Sequence, residues 1–293
     1  MNISVVIPNW NGKTHLQKNL PHVLAENPSD VIVVDDRSQD ESVSLLESEF
    51  PQVRLLQNQS NRNFAFTVNR GVTHANSDLV CILNTDVQPK SGFLKNAPKY
   101  FEDPKLFGVT LHESGFGPSL PVFEDGFIGY KKGSEKKVTQ STFWLSGGSC
   151  IVRRSIWDEL GGFDDKLFPF YWDDLDISYR ASKRGYKLLW VPDCRVDHQH
   201  ETFYSQKYPA SKLAFTKEVH QLTFIWKNLT QPELFIKHLK GLANRIVGSP
   251  GYSKVFLSTI SSLPLILNSR QLEAKQSVIS DSTALGLVGK GIA

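Results

Sequence analysis

The sequence predicts an α/β fold: a mostly parallel central sheet flanked by helices, followed by a helical C-terminal extension. Three observations carry this. Short apolar runs of strand type at residues 3–7, 31–34 and 79–83 alternate with segments whose apolar residues recur at helical spacing. Those runs are apolar almost throughout instead of alternately, as strands covered on both faces are. The charge is also divided along the chain. From Thr202 onward 11 Lys and Arg face 4 Asp and Glu, whereas the front carries 22 against 26.

Taken in order, residues 3–7 form a strand stopped by Pro8 and the turn-forming "NWNG". Leu16, Leu20, Val23 and Leu24 stripe a helix in which Pro21 imposes a kink or a late start. After the strand at 31–34, Ser38 or Asp40 is the expected cap of a helix whose Val43, Leu46 and Phe50 share a face. "VRLLQN" is a third strand, Phe64, Ala65, Val68 and Val72 mark another helix, and "LVCIL" is a fourth strand. Residues 112–142, with "ESGFGPSLP" and "KKGSEKK", break the rhythm and predict an irregular excursion or hairpin. Then come a Gly-bounded strand and helix in "FWLSGGSCIVRRS" and the helix "DDLDISYRASKRG", acidic at its start and basic at its end. "KLLWVP" is the last strand and "DCRVDHQHE" a polar loop after it. The tail predicts helices over 212–228 and 232–247, either packed on the domain or lying on an anionic lipid surface.

The 293 residues suffice for a sizeable core, and a net charge of +3 is too weak to argue for a nucleic-acid partner. Cys81, Cys150 and Cys194 are odd in number and set in apolar stretches, as buried free thiols are. "NISVVIP" opens directly as a strand without a signal-peptide pattern, and "VFLSTISSLPLIL" is short for a bilayer crossing. A cytoplasmic location is therefore expected, with peripheral membrane contact through the basic tail.

The polar residues that could carry chemistry cluster at strand ends, where open α/β sheets bind ligands: Asn9 and Asn11, Asp35 and Asp36, Asn84 and Asp86. A strand that ends in two aspartates needs a donor for them, and Asp36 is expected to accept the N–H of a uracil or thymine base. Asp86 past a buried strand is either a turn aspartate or a ligand for a hard divalent cation that shares its shell with phosphate. Asp173, Asp174 and Asp176 crowd one helix start, where they either favour the helix dipole or supply a general base. His198 and His200 alternate, and an imidazole beside Asp86 suits manganese somewhat better than magnesium.

The stretches "SVVIPNWNG", "VIVVDDRSQDES", "NRNFAFTVNRG", "CILNTDV", "SGGSCIVRRSIWDELGGFDDKLFPFYWDDLDISYR" and "RVDHQH" resemble, in order and spacing, glycosyltransferase family 2, above all its rhamnosyltransferase-like and galactofuranosyltransferase-like branches. The likeness covers roughly residues 1–205. It implies a GT-A fold with a nucleotide-sugar-binding half at about 1–110, an acceptor and catalytic half at about 111–205, and an extension at 206–293. It also implies a nucleotide-diphosphate-sugar donor, transfer with inversion to a glycan or lipid-linked glycan, and a divalent cation, Mn²⁺ or Mg²⁺. Carried over by position, Asp174 is the catalytic base and Asp86 with His198 holds the metal. Pro8, Asn9, Asn11, Asp36, Asn61, Asn69, Asn84 and Asp86 face the nucleotide-sugar. Trp144, Gly147, Gly148, Trp172 and Asp173 face the acceptor. Asn84 replaces a carboxylate of the family's metal motif, Asp173 a frequent glutamate, and Asn63 a glycine whose left-handed backbone Asn tolerates. A sugar-phosphate nucleotidyltransferase would want a Gly-rich basic loop after the first strand, which "PNWNGKTH" is not, and a dehydrogenase would want GxGxxG. A non-catalytic nucleotide-sugar-binding protein is the remaining alternative.

Overall fold

In the computed structural model, which describes residues 1–199 and 207–286, the front of the chain alternates strand and helix as expected. Strands β1 (Ile3–Asn9), β2 (Asp30–Asp35), β3 (Arg54–Gln57) and β4 (Leu79–Leu83) are linked by helices α1 (Lys13–Leu24), α2 (Ser42–Glu49) and α3 (Asn63–His74). They lie side by side and parallel in the order β3–β2–β1–β4. Successive side chains on a strand point to opposite faces. Val5, Ile7, Val31, Val33 and Cys81 accordingly pack against Leu16, Leu20 and Val23 of α1 and Leu45 and Leu46 of α2. Val6, Ile32, Val34, Val80 and Ile82 pack against Ala65, Val68 and Val72 of α3. Two covered faces explain the unbroken apolar runs.

Neither Ser38 nor Asp40 is the cap of α2. Glu41 holds that position without a side-chain cap bond. Ser38 is drawn instead to Asp35, and Asp40 accepts the N–H groups of Ser42 and, across the cleft, Lys13. The two loops at the sheet's rim are thereby tied together before either helix is capped.

The second half widens the sheet. It comprises β5 (Val87–Pro89), β6 (Leu106–Glu113), the separate hairpin β7 (Ser119–Glu124) and β8 (Phe127–Lys132), β9 (Gln140–Ser141), β10 (Ser149–Arg153), α4 (Arg154–Leu160), α5 (Asp173–Lys183) and β11 (Lys187–His198). The strand order continues β4–β10–β6–β11–β5, with β10 antiparallel to both neighbours, β11 parallel to β6, and β9 added along β11. The excursion expected at 112–142 is thus largely the β7–β8 hairpin.

One strand ends later than its sequence predicts. "DCRVDH" is no loop but the last part of β11, which pairs Val196, Asp197 and His198 with Pro89, Gln88 and Val87 of β5. A register shift between Trp190 and Arg195 re-aims the strand after its apolar part ends. His200 lies outside the described residues.

Helices α6 (Ala210–Asn228), α7 (Pro232–Gly248), α8 (Tyr252–Ser261), α9 (Leu263–Gln276) and α10 (Asp281–Ala284) follow. Leu222, Phe224, Ile225 and Leu229 share a third core with Phe127, Ile128, Phe168, Leu175 and Tyr179, so the tail is fastened to the hairpin and to α5. Polar locks reinforce the seam. Fully buried Asp176 on α5 accepts from Arg180 (2.8 Å), Lys227 (2.9 Å) and Asn228 (2.8 Å). Asp281 of α10 meets Lys183 (2.6 Å) and Tyr179 (2.7 Å). Burial works against the Asp176 charge, but Lys227 and Arg180 outweigh it and hold the carboxyl below its ordinary range. Cys81, Cys150 and Cys194 are buried free thiols. Removing one partner of a buried network strands the others. Lys227→Ala is therefore expected to cost about 3–5 kcal/mol in denaturant unfolding, whereas Lys13→Ala, which breaks an exposed pair with Glu41, should be near neutral.

Candidate active site

The carboxyl ends of β4, β6 and β11 and the N-terminus of α5 line two adjoining cavities, and the ends of β1 and β2 lie along the same edge of the parallel sheet. At the first corner the two aspartates of β2 have separate partners. Asp35 accepts from Asn9 Nδ2 (2.8 Å) and from the backbone N–H of Ser38 (3.0 Å). Asn11 adds its own N–H to Ser38 Oγ (2.8 Å) and accepts the N–H of Gln39 (2.7 Å), from a left-handed backbone with φ 53°. Asp36 accepts the N–H groups of Arg62 (2.7 Å) and Asn63 (2.9 Å) at the start of α3, together with Asn58 Nδ2 (2.7 Å). The donor that a strand ending in two carboxylates demands is present within the fold: a helix N-terminus. Burial still holds the Asp36 carboxyl above its usual range, with the Arg62, Asn58 and Asn63 bonds opposing. Asn63 keeps φ at 66°, so the substituted glycine position retains its turn.

Asn61 donates to the Asp36 carbonyl (3.1 Å) and accepts from Lys207 (3.2 Å) at the same corner. Pro8 sits in β1 opposite Val34. Asn69 is engaged elsewhere. Its amide donates to the carbonyl of Phe163 (2.8 Å) and accepts the Phe163 N–H (2.9 Å), splicing α3 to the loop before α5.

At the second corner His198 Nε2 stands 3.3 Å from Asp86 Oδ1, while its Nδ1 stands 3.3 Å from Glu113 at the end of β6. Burial alone would lower the imidazole's proton affinity, but the two carboxylates push it up to about 9. Among the described residues no cluster of three or more His, Cys, Asp or Glu side chains forms a ready metal cage. Two ligands at right angles about 2.1 Å from one ion lie roughly 3 Å apart, close to the spacing of Asp86 and His198. Sites that complete their shell with water and phosphate need no more protein ligands than these. The pair fits a divalent ion, and Glu113 stands where an outer carboxylate fixes the ring of a metal-binding histidine.

At the third corner Tyr171 and Trp172 both take positive φ, 58° and 70°, immediately before α5. Two bulky residues in that region are strained, and the strain turns the next two carboxylates inward. Asp174 accepts the N–H of Gly147 (3.1 Å) and of Leu175 (2.8 Å). Burial raises its pKa to about 6 against those bonds. Asp173 is 3% exposed, and its Oδ2 is buried without a partner. Burial, and then the Asp174 charge, push its carboxyl well above the ordinary range. Both carboxyls are thus pushed toward their neutral forms, Asp173, the more deeply buried, more than Asp174. Asp176, two residues and so about half a turn past Asp174, faces the other way into its buried lock.

A cavity of about 320 Å³ at Asp174 is lined by Phe64, Trp144, Trp172 and Lys217. A second, of about 380 Å³, is lined by Glu113, His198, Lys132 and Trp190. They share Asn84, Tyr130, Trp144 and Gly148. The Asn84 N–H donates to the Gly148 carbonyl (2.9 Å), and a Cβ on Gly148 would fall 2.5 Å from Asn84 Nδ2. Glycine is required where the two compartments join. Glu113, Asn58, Tyr130 and Lys217 were not legible as site residues, because each depends on which strand or helix lies beside which. Glu113 ends an apolar run as Asp86 does, and that was the one signal available.

Comparison with known proteins decides the family. The model for glycosyl transferase family 2 matches residues 4–161, more than half of the chain. The chain belongs to glycosyltransferase family 2. It is 26% identical over 262 residues to an N-acetylglucosaminyl-diphospho-decaprenol L-rhamnosyltransferase of Mycobacterium tuberculosis, covering 76% of this chain and 83% of that one. It is 24% identical to the O-antigen chain rhamnosyltransferase RfbN of Salmonella typhimurium, covering 68% and 67%. Among solved structures, GalNAc-T7 with UDP, GalNAc and Mn²⁺ aligns with a TM-score of 0.64 at 18% identity, over 80% of this chain and 49% of that one. TarS of S. aureus with UDP-GlcNAc aligns at 0.58 and 14%, over 94% and 82%. This family 2 glycosyltransferase has the GT-A fold. If Glu113 orients His198, Glu113→Gln should weaken Mn²⁺ binding, followed by electron paramagnetic resonance, by about 10–100-fold without unfolding the protein. Wild-type affinity in that variant would remove Glu113 from this role.

Proposed function

We propose that this family 2 glycosyltransferase moves a sugar from a UDP- or dTDP-linked donor to a hydroxyl of a lipid-linked glycan, inverting the anomeric carbon. The rhamnosyltransferases among its relatives favour L-rhamnose on dTDP as the first donor to test. The observation that carries the reading is Asp174, a half-buried carboxylate with a pKa near 6 facing a cavity that adjoins the one lined by His198.

In this reading residues of about 1–110 bind the donor, those of about 111–205 supply the base and the acceptor wall, and 206–293 form the extension. Asp36 is already met by the Arg62 and Asn63 N–H groups, Asn58 and the Thr67 hydroxyl, so a base N–H would have to share an oxygen with one of them. Asn9 and Asn11 brace the loop beneath it. A divalent cation, Mn²⁺ or Mg²⁺, at Asp86 and His198 would supply Lewis-acid stabilisation of the departing diphosphate. Asp174 takes the proton of the acceptor hydroxyl as its oxygen bonds to the anomeric carbon and the bond to the diphosphate oxygen breaks. Asp173 is pushed further toward its protonated form, which adds no second negative charge beside the base. Gly147 fixes the orientation of Asp174, and Trp144 and Trp172 wall the acceptor side. Lys217, exposed at the cavity edge 4.5 Å over the Tyr171 ring, suits an acceptor bearing phosphate. Such an acceptor would place the enzyme at the inner face of a membrane, with no role for nucleic acid.

Incubation with a panel of donors and a divalent cation tests the whole. Release of nucleoside diphosphate supports transfer, whereas pyrophosphate formation would indicate nucleotidyltransfer, and no turnover with any donor would sink the reading. Asp174→Asn is expected to lower kcat by about 10²–10⁴ while calorimetric donor affinity stays near normal. Because the base must be ionised, kcat/KM should rise with pH through about 6 and level off above it. A flat profile from pH 5 to 8 (roughly the span over which such a base titrates) would exclude Asp174 as the base.

A further inference from the structure

The outward faces of α7, α8 and α9 are apolar where solvent should make them polar. On α7 the buried stripe is Leu234, His238 and Leu242, as expected of a helix packed on a core. The opposite stripe at three- and four-residue spacing is Ile236, Leu239, Ala243 and Val247, with Ile236 54%, Leu239 47% and Val247 82% exposed. On α8 the inward residues are Tyr252, Val255 and Thr259, and the outward ones include Lys254, Leu257 and Ile260. On α9 only Ile266 is buried, while Leu265, Leu267 and Leu272 are exposed. Single exposed leucines are ordinary, but apolar stripes on two consecutive helices, continued by Leu265 and Leu272 on one side of a third, are not.

Charge selects the occupant. Between Glu233 and Glu273 the sequence has no acidic residue; Arg245 and Arg270 turn back onto the Phe127 and Phe235 rings, which leaves Lys237, Lys240 and Lys254 as the cations beside this face. An apolar helix face rimmed by lysines, whose stems can lie along the surface while the ammonium stays wet, suits an anionic bilayer interface. Insertion across a bilayer is a different matter, since no described helix is long and apolar enough to cross one. α6, which the sequence also offered as a lipid-facing helix, is excluded from this face in its second half. Leu222, Phe224 and Ile225 are fully buried there, between α5 on one side and α8 and α9 on the other.

We propose that α7, α8 and α9 form an interfacial membrane-docking face, with Leu257, Ile260, Leu265 and Leu272 entering the headgroup boundary of an anionic leaflet. This deepens the lipid-linked acceptor reading and rests on it for its purpose, though not for its test. The face is tied to the catalytic helix α5 through α6, which packs on α5, and through Glu273 of α9, which bonds Arg184 at the end of α5.

The full chain is spun with vesicles of phosphatidylcholine plus phosphatidylglycerol, and with phosphatidylcholine alone. The wild type is expected to pellet with the anionic vesicles, and less so as salt rises. The triple variant Leu257→Gln, Leu265→Gln, Leu272→Gln should lose at least about tenfold in vesicle affinity. Its circular dichroism and its turnover of a water-soluble acceptor should be unchanged. Lys237→Gln with Lys240→Gln and Lys254→Gln should weaken binding and flatten its salt dependence. Wild type that stays in the supernatant at low salt overturns the proposal. So does a triple variant that still pellets, or a wild-type dimer by light scattering that the triple variant breaks while vesicles are ignored, since a second copy would then cover the face. Vesicle binding without transfer to any acceptor would sink the functional reading and leave this one standing.

Discussion

Asp176 sits at the centre of a fully buried polar network, its side chain turned away from the cleft. Its carboxylate is buried among Arg180, Lys227 and Asn228, and Arg180 in turn holds the carbonyls of Leu160 and Gly162. A charge stripped of water on that scale is tolerated only with its partners in place. The lock therefore fixes the rotation of α5 about its axis against both the sheet and α6. Residues three and two positions earlier, Asp173 and Asp174, are set by the same rotation. The strained backbone of Tyr171 and Trp172 is sustained because the helix below it cannot turn to relieve the strain.

The cleft follows from where strands end. Each carboxylate or imidazole stands at a strand's carboxyl end or, for α5, at a helix start, and each is held by backbone N–H groups or by a neighbouring site residue. Asp36 is held by α3, Asp174 by the Gly147 N–H, and His198 by Asp86 and Glu113. Backbone donors cost little to preorganise because the fold has already fixed them. A site built this way presents charge to a ligand without reorganising when the ligand arrives.

The electrostatic division inside α5 is a matter of geometry. Three aspartates within four positions would share a similar fate on an exposed helix. Here one faces cations that favour its charge, one has no partner for Oδ2 and is pushed furthest toward its neutral form, and one is held near its titration point by burial against two N–H bonds.

By itself the sequence determined the alternation of strand and helix, the two-faced burial of β1, β2 and β4, the helices over 212–228 and 232–247, and the family. Those follow from local periodicity and from motif spacing, which a linear chain displays directly. It also placed Asp36, Asp86, Asp174 and His198 at the ends of elements, where turn chemistry and apolar runs mark them. It left open what each would meet. The α3 N-terminus as partner of Asp36, the pairing of β11 with β5 that brings His198 to Asp86, and Glu113 behind the imidazole depend on strand order. So do the bonds that turn Asn69 to Phe163 and Asp176 away from the cleft. Strand order is settled by contacts between residues distant in sequence, and no window of neighbouring residues carries that information.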